Sequence, residues 1–261
     1  MNCITFSNLI DQIRKCYKSI IYIRMLGIII SGFIISYFNL TCLQMIMAMS
    51  FLFLSLVLFY DYLIPKFINI EYFCDEKMIS KIDIYDIKII IVNAFLYFLF
   101  FSVSYNYLLS IQTIFTYATF IINILKAYIF STIYFYYSHR LLHYKSLYKY
   151  IHKLHHITIH PSSIFSIYVT VPEFIFVNIV VMFLPCIIFK FHTITLFTYA
   201  CLGILNITES HISYKPQNIY LKWFIGNSYF HYMHHKHFNY NYGLSSKILD
   251  ILHNTIYHKD K

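Results

Sequence analysis

Residues 89–143 read IIIVNAFLYFLFFSVSYNYLLSIQTIFTYATFIINILKAYIFSTIYFYYSHRLLH, and this stretch decides the fold. Positions 89–125 carry no charged side chain. About 20 apolar residues cross a bilayer's hydrocarbon core, so the run holds two crossings. Asn106, Ser110 and Gln112 mark the polar turn between them. The second helix continues through Lys126 to about Tyr137 and runs straight into His139. A lysine is costly at the bilayer centre, so Lys126 is expected near the headgroups. About 20 Å of helix then lifts His139 clear of the membrane.

The same reasoning extends outward. Residues 25–60 are also uncharged and fold as a first hairpin, turning at Asn39, Thr41 and Gln44. Residues 61–88 carry ten charged side chains, from Asp61 to Lys88, and read as a soluble connector with short helices. Upstream, Leu9, Ile10, Ile13, Tyr17, Ile20 and Ile21 recur at helical spacing between charges, which predicts an amphipathic helix on the membrane surface rather than a signal peptide. Two further apolar runs, 174–189 and 193–208, are short for full crossings, and Pro185 interrupts the first. They are expected as a partly inserted or buried hairpin. The fold class is therefore an all-α integral membrane protein, with four transmembrane helices in two hairpins beneath a cytosolic helical cap. The chain divides into residues 1–88 and a histidine-bearing part, 89–258.

Composition supports this reading. Charged residues make up 12% and hydrophobic residues 59%, against roughly a quarter charged in soluble domains. The net charge of +9 comes from basic residues between the apolar runs. That pattern is topological and places the charged segments in the cytoplasm; no nucleic acid is expected. Six scattered cysteines form no CxxC, which excludes a disulfide framework and a cysteine-based zinc module.

The fourteen histidines carry the chemistry. His139 and His143 stand four apart in HRLLH; His152, His155 and His156 follow as HKLHH; His231, His234 and His235 repeat that spacing as HYMHH. On a helix, positions i, i+3 and i+4 share a face, so each cluster aims its imidazoles one way. Neutral imidazole is the common nitrogen ligand of iron, zinc, copper and nickel, and eight such groups suit a pair of metals. His160, His192, His253 and His258 read as ordinary structural histidines, and His237 as ambiguous beside the last cluster.

YYSHRLLHYKSLYKYIHKLHH (136–156) and FHYMHHKHFNYNYGLSSKILDILHNT (230–255) resemble the membrane fatty acid hydroxylase/sterol desaturase superfamily. That resemblance implies a cytosolic centre of two irons per chain, O2-dependent oxidation of a fatty-acyl or sterol lipid, electrons from cytochrome b5 or a similar donor, and the endoplasmic reticulum membrane. It implies His139, His143, His152, His155, His156, His231, His234 and His235 as ligands, and adds His211 of ESHISY. Glu209, Asp250, Asn227 and Asn239 are candidate partners for the ligands' outer nitrogens. Three positions depart from the family pattern: Lys215 where relatives often carry His or Asp, Val171 in place of His before Pro172 and Glu173, and Asn254 in place of Gly in LDILHNT. Protonated lysine cannot ligate a cation.

The leading expectation is a lipid hydroxylase in sterol or lipid biosynthesis, with a C-5 sterol desaturase or a non-catalytic lipid- or metal-binding protein as alternatives. A metal transporter would need ligands within the spans, where the first four apolar runs hold no Asp, Glu or His.

Overall fold

The computed structural model describes residues 40–217 and 228–258. The expected amphipathic helix and the first half of the first hairpin lie outside these residues.

Four helices are long and apolar enough to cross a membrane: α1 (Cys42–Phe67), α2 (Ile84–Ser110), α3 (Tyr117–Leu142) and α5 (Val171–Ile188). Between α3 and α5 lies the short helical segment α4 (145–156). After α5 come α6 (Thr193–Ser210), α7 (Ser228–His237) and α8 (Ile248–Leu252). Each long helix begins where a polar side chain satisfies its orphan amides. Thr41 and Gln44 form a capping box for α1, Asp83 and Asp86 for α2, and Thr116 and Thr119 for α3. Asn106 and Ser110 are still helical, and the turn between α2 and α3 comes at Gln112, whose φ is 46°.

The fourth crossing-length helix is not one of the expected four. The run around Pro185, read as half of a short hairpin, forms the continuous helix α5. A proline strips an N–H from the helical ladder. The carbonyl of Val181, four residues earlier, instead accepts from the Tyr199 hydroxyl (3.3 Å). Lys126 is exposed, with its Nζ 5.3 Å from the Phe189 ring centroid where α5 ends.

The lipid-facing character of the long helices is visible in their large exposed side chains, Phe51, Leu54, Phe95 and Ile129 among them. α6 packs against α1, and α5 against α3. The connector departs from an all-helical reading. Ile70–Tyr72 (β1) pairs antiparallel with Tyr214–Pro216 (β2), in the register Ile70 with Pro216 and Tyr72 with Tyr214. Both segments leave helix ends in extended form, and the Tyr214 hydroxyl donates to the Tyr60 carbonyl (2.6 Å).

Two buried polar contacts fix the loop that follows α4. The Asn93 amide of α2 donates to the carbonyls of Ile167 and Val169 (both 2.9 Å). The Asp61 carboxylate of α1 accepts from the amides of Ser163 (2.8 Å) and Ile164 (3.3 Å). This loop leads from the histidines of α4 to Glu173, so its anchorage sets the geometry of the site.

Candidate metal centre

α3 is 26 residues long, or about 39 Å, which exceeds a hydrocarbon core of about 30 Å. His139 stands in its last turn. His143 caps the helix. α4 opens into a π-turn at Tyr148–His152, a local widening common at functional sites. Together with α7 and the C-terminal end of α6, these elements bring nine histidines into one buried cluster. His139, His143, His152, His156 and His234 form one group, and His155, His211, His231 and His235 a second. Within each group the ligand nitrogens lie within 4.8 Å of one another. All nine expected residues are therefore in the cluster.

The remaining histidines stand apart in structural roles. His192 caps α6, and His160 meets the Tyr232 hydroxyl (3.0 Å). His253 meets the Tyr137 hydroxyl (2.9 Å), His237 stacks on Tyr257, and His258 is exposed.

The tautomers follow from the outer nitrogens, because a carbonyl or carboxylate can only accept. His139 Nδ1 donates to the Tyr242 carbonyl (2.7 Å) and His234 Nδ1 to the Tyr240 carbonyl (2.7 Å). His211 Nδ1 donates to the Ile207 carbonyl (2.8 Å) and His152 Nδ1 to Glu173 Oε1 (2.7 Å). Each of these rings therefore turns a bare Nε2 lone pair inward. His139 Nε2 and His152 Nε2 are 3.0 Å apart, and His234 Nε2 lies 3.1 Å from His156 Nε2. The facing lone pairs of His139 and His152 repel, so the arrangement calls for a cation between them. Nitrogens bound at right angles to an ion about 2.1 Å away lie about 3.0 Å apart. The donor set fits metal ions.

Burial reinforces this by keeping the imidazoles neutral, the form that binds metals. It drives His143 down to about 2, aided by neighbouring His139, and His211 down to about 4. His152, His155, His156, His231, His234 and His235 are all lowered well below the ordinary histidine value, by burial first and by crowding with one another second.

The partners behind the ligands differ from those expected. Glu173, buried and capped onto Thr170 at the start of α5, meets His152 directly. It was legible only as a retained letter of the VPEF element. Asp250 acts one layer further out, accepting from the amides of Tyr242 and Gly243 (both 2.8 Å) and from the Thr255 hydroxyl (2.7 Å). It thereby holds the loop whose carbonyls orient His139 and His234. A side chain at Gly243 would meet the Ser246 carbonyl and the Asp250 carboxylate. Glu209 is fully buried, Asn239 is exposed, and Asn227 lies outside the described residues.

Two of the departures find a physical account. Lys215 lies on β2, half-exposed, and pairs with Glu71 (3.1 Å) away from the histidines. Asn254 has φ 53°, a left-handed conformation that glycine adopts freely and asparagine tolerates.

An apolar cavity of about 570 Å³ opens beneath the histidines, between α1, α2, α3, α5 and α6. Phe135, Asn178, Ile207 and Leu244 line both it and the small space among His139, His152, His155, His211 and His231.

Residues 124–255 match the sequence model of the fatty acid hydroxylase family. Over 121 residues the chain is 34% identical to fatty acid hydroxylase domain-containing protein 2 of Homo sapiens, covering 46% of this chain and 34% of that protein. It is 32% identical to methylsterol monooxygenase 1 of Gallus gallus over 109 residues, covering 41% and 36%. It is 33% identical to very-long-chain aldehyde decarbonylase GL1-11 of Oryza sativa subsp. japonica over 106 residues, covering 39% of each. The chain thus spans about a third to two fifths of the length of these relatives. No solved structure matches it.

Proposed function

The chain belongs to the fatty acid hydroxylase family, and on that premise we propose that it is an O2-dependent lipid oxidase, hydroxylating a fatty-acyl or sterol substrate at a pair of histidine-bound irons. The carrying observation is the inward convergence of nine imidazoles, eight of them buried and His143 partly so, beside an apolar cavity. In this reading His139, His143, His152, His156 and His234 would hold one ion, and His155, His211, His231 and His235 the other. Bound iron supplies the redox chemistry that no side chain possesses. The overall reaction converts C–H to C–OH with one oxygen atom of O2, while the other leaves as water at the expense of two electrons and two protons.

The chain's own residues do the rest. With a cation held on His152 Nε2, Glu173 would stay ionised, keep His152 in one tautomer and set negative charge behind it. The carbonyls of Tyr240, Tyr242 and Ile207 do the same, without charge, for His234, His139 and His211. Phe135, Val177 and Leu244 keep the space under the histidines apolar and exclude water. Leu54, Ile91 and Leu125 line the cavity and are also exposed on the outer surface, which suits sideways entry of a lipid from the bilayer.

The electron donor in this reading is cytochrome b5 or a similar acidic protein. Lys145, Lys149, Lys153 and Lys236 are exposed around the histidine-bearing helices. Residues 138–160 and 228–249 contain no Asp or Glu, so the face is complementary to an acidic donor. In this reading the basic face lies in the cytosol and the membrane is that of the endoplasmic reticulum, with residues 1–88 contributing the first hairpin and the connector and residues 89–258 the remaining crossings and the chemistry.

The test is metal content per chain in detergent-purified protein from iron-controlled growth. The expected result is two irons, with the four-histidine ion lost in His155→Ala. A folded, monodisperse protein that retains no metal overturns the proposal.

A further inference from the structure

The two histidine groups meet the rest of the protein differently. Among the described residues, the four-histidine group makes ring contacts with other histidines alone. The five-histidine group also touches Phe135, Tyr242, Tyr148 and Phe238. Phe135 borders the cavity and Tyr242 is buried. Tyr148, on α4, and Phe238, just after α7, are instead partly exposed. The Tyr148 ring centroid lies 5.7 Å from that of His143, 6.1 Å from that of His152 and 5.8 Å from that of His156. The Phe238 ring lies 4.9 Å from His156 and 6.2 Å from Tyr148. Phe238 has φ 56°, a left-handed conformation that is unfavourable for a bulky side chain and concentrates at functional sites. His143, the one histidine of the nine that is partly exposed, lines neither the cavity nor the space beside it.

Charge singles out the same corner. Lys145, Lys149 and Lys153 are exposed on α4, before and after Tyr148, and none pairs with a carboxylate among the described residues. Tyr144 and Tyr150 stand exposed between them, and tyrosine is enriched in protein interfaces. Electron transfer weakens steeply with separation, so the closest approach from solvent to the histidines governs it. Deepening the oxidase reading and resting on it, we infer that Tyr148 and Phe238 form an electron entry port: a small acidic one-electron carrier docks on the α4 lysines with its redox group over Tyr148, and electrons enter at the five-histidine group. Each encounter hands over one electron. With a haem carrier, the ferrous haem becomes ferric as a ferric ion held by these histidines becomes ferrous, and no bond or proton changes hands. Two encounters supply the two electrons that the overall reaction consumes.

The full chain in phosphatidylcholine nanodiscs tests this, with the soluble haem domain of cytochrome b5 as an acidic probe and cytochrome c as a basic one. Binding is read first, on iron-loaded and on iron-free protein. The acidic probe should bind, more weakly as salt rises, and the basic one should not. Lys149→Glu combined with Lys153→Glu should weaken binding at least about tenfold, with iron content unchanged. Anaerobic stopped-flow reoxidation of the reduced haem domain then reads the port. At saturating probe Tyr148→Leu should slow it at least about tenfold with affinity unchanged, and Tyr148→Phe should keep the wild-type rate. Dithionite, which needs no docking, should reduce all these proteins alike. Equal binding of both probes, no binding of the acidic one, affinity unmoved by the charge reversals, or wild-type reoxidation by Tyr148→Leu each overturns the inference. The lysine variants decide it even if Tyr148→Leu fails to fold. Iron content separates the two readings, since a protein that holds two irons yet ignores the acidic probe loses the port alone.

Discussion

Glu173 offers the sharpest perturbation of the centre. Its Oε1 accepts from His152 Nδ1 at 2.7 Å with both side chains buried. His152 Nε2 in turn lies 3.0 Å from the Nε2 of His139, 3.1 Å from that of His143 and 3.0 Å from that of His156. The carboxylate therefore acts on the ring at the middle of the five-histidine group. Hydrogen bonds to charged groups contribute about 1.5–3 kcal/mol, roughly twice the neutral kind. Glu173→Gln keeps the shape and an accepting oxygen but drops the charge. About half of the contribution is then lost, or roughly four- to tenfold in metal affinity. Glu173→Ala removes the acceptor altogether and should cost about ten- to a hundredfold, the usual range for a partner behind a ligand. The assay is iron bound per chain across a series of metal buffers, with far-ultraviolet circular dichroism checking the fold. Occupancy should fall from two ions toward one, in the order wild type, Gln, Ala, because no partner of the four-histidine group is altered. Superimposable binding curves for the three proteins would refute the reasoning.

Acid should strip the centre. Burial holds His211 at about 4 and His143 at about 2, while an unfolded chain takes up these protons near 6.5. The unfolded state thus binds more protons below about 6.5, so stability is present above that value and is lost as pH falls toward 4, by up to about 1.4 kcal/mol per pH unit and histidine. A melting temperature and metal content that stay flat from pH 7.5 to 4.5 would contradict this. Lys215→Ala removes only a half-exposed ion pair with Glu71, so stability should change by less than about 1 kcal/mol with metal content unaltered; loss of metal would place Lys215 in the centre after all. Gly243→Ala forces a methyl group against Asp250 and the Ser246 carbonyl, which should destabilise the protein by about 1–3 kcal/mol and weaken metal binding through His139 and His234, as chemical denaturation and metal titration will show.

The sequence announces what depends on local spacing. The uncharged runs mark α2 and α3, because lipid tolerates little besides apolar helix. The same local rule finds the short hairpin of α5 and α6 but puts an interruption at Pro185 where the helix runs on. Pro185 reads as a break only while its orphaned acceptor has no partner, and the partner, Tyr199, comes from a neighbouring helix. The two-stranded ladder of β1 and β2 is equally non-local, joining residues about 145 positions apart on strands of three residues. No periodicity exists in so short a segment.

The histidine cluster shows the same division. The i, i+3 and i+4 spacings aim each set of rings one way, and that is enough to expect convergence. Their tautomers are decided elsewhere, by acceptors that leave no compositional trace. Three of the four fixed rings donate to backbone carbonyls, of Tyr240, Tyr242 and Ile207, and any residue type supplies a carbonyl. Glu173 is the exception, since its charge is read by His152 alone. The two groups of imidazoles are consequently unequal. One has a buried carboxylate behind a central ring, whereas the four-histidine group includes His211, whose outer nitrogen finds only neutral oxygens, the Ile207 carbonyl and Ser210 Oγ. A cation is held more firmly where negative charge stands behind its ligand, so the ion of the five-histidine group is the one that should loosen when Glu173 is altered.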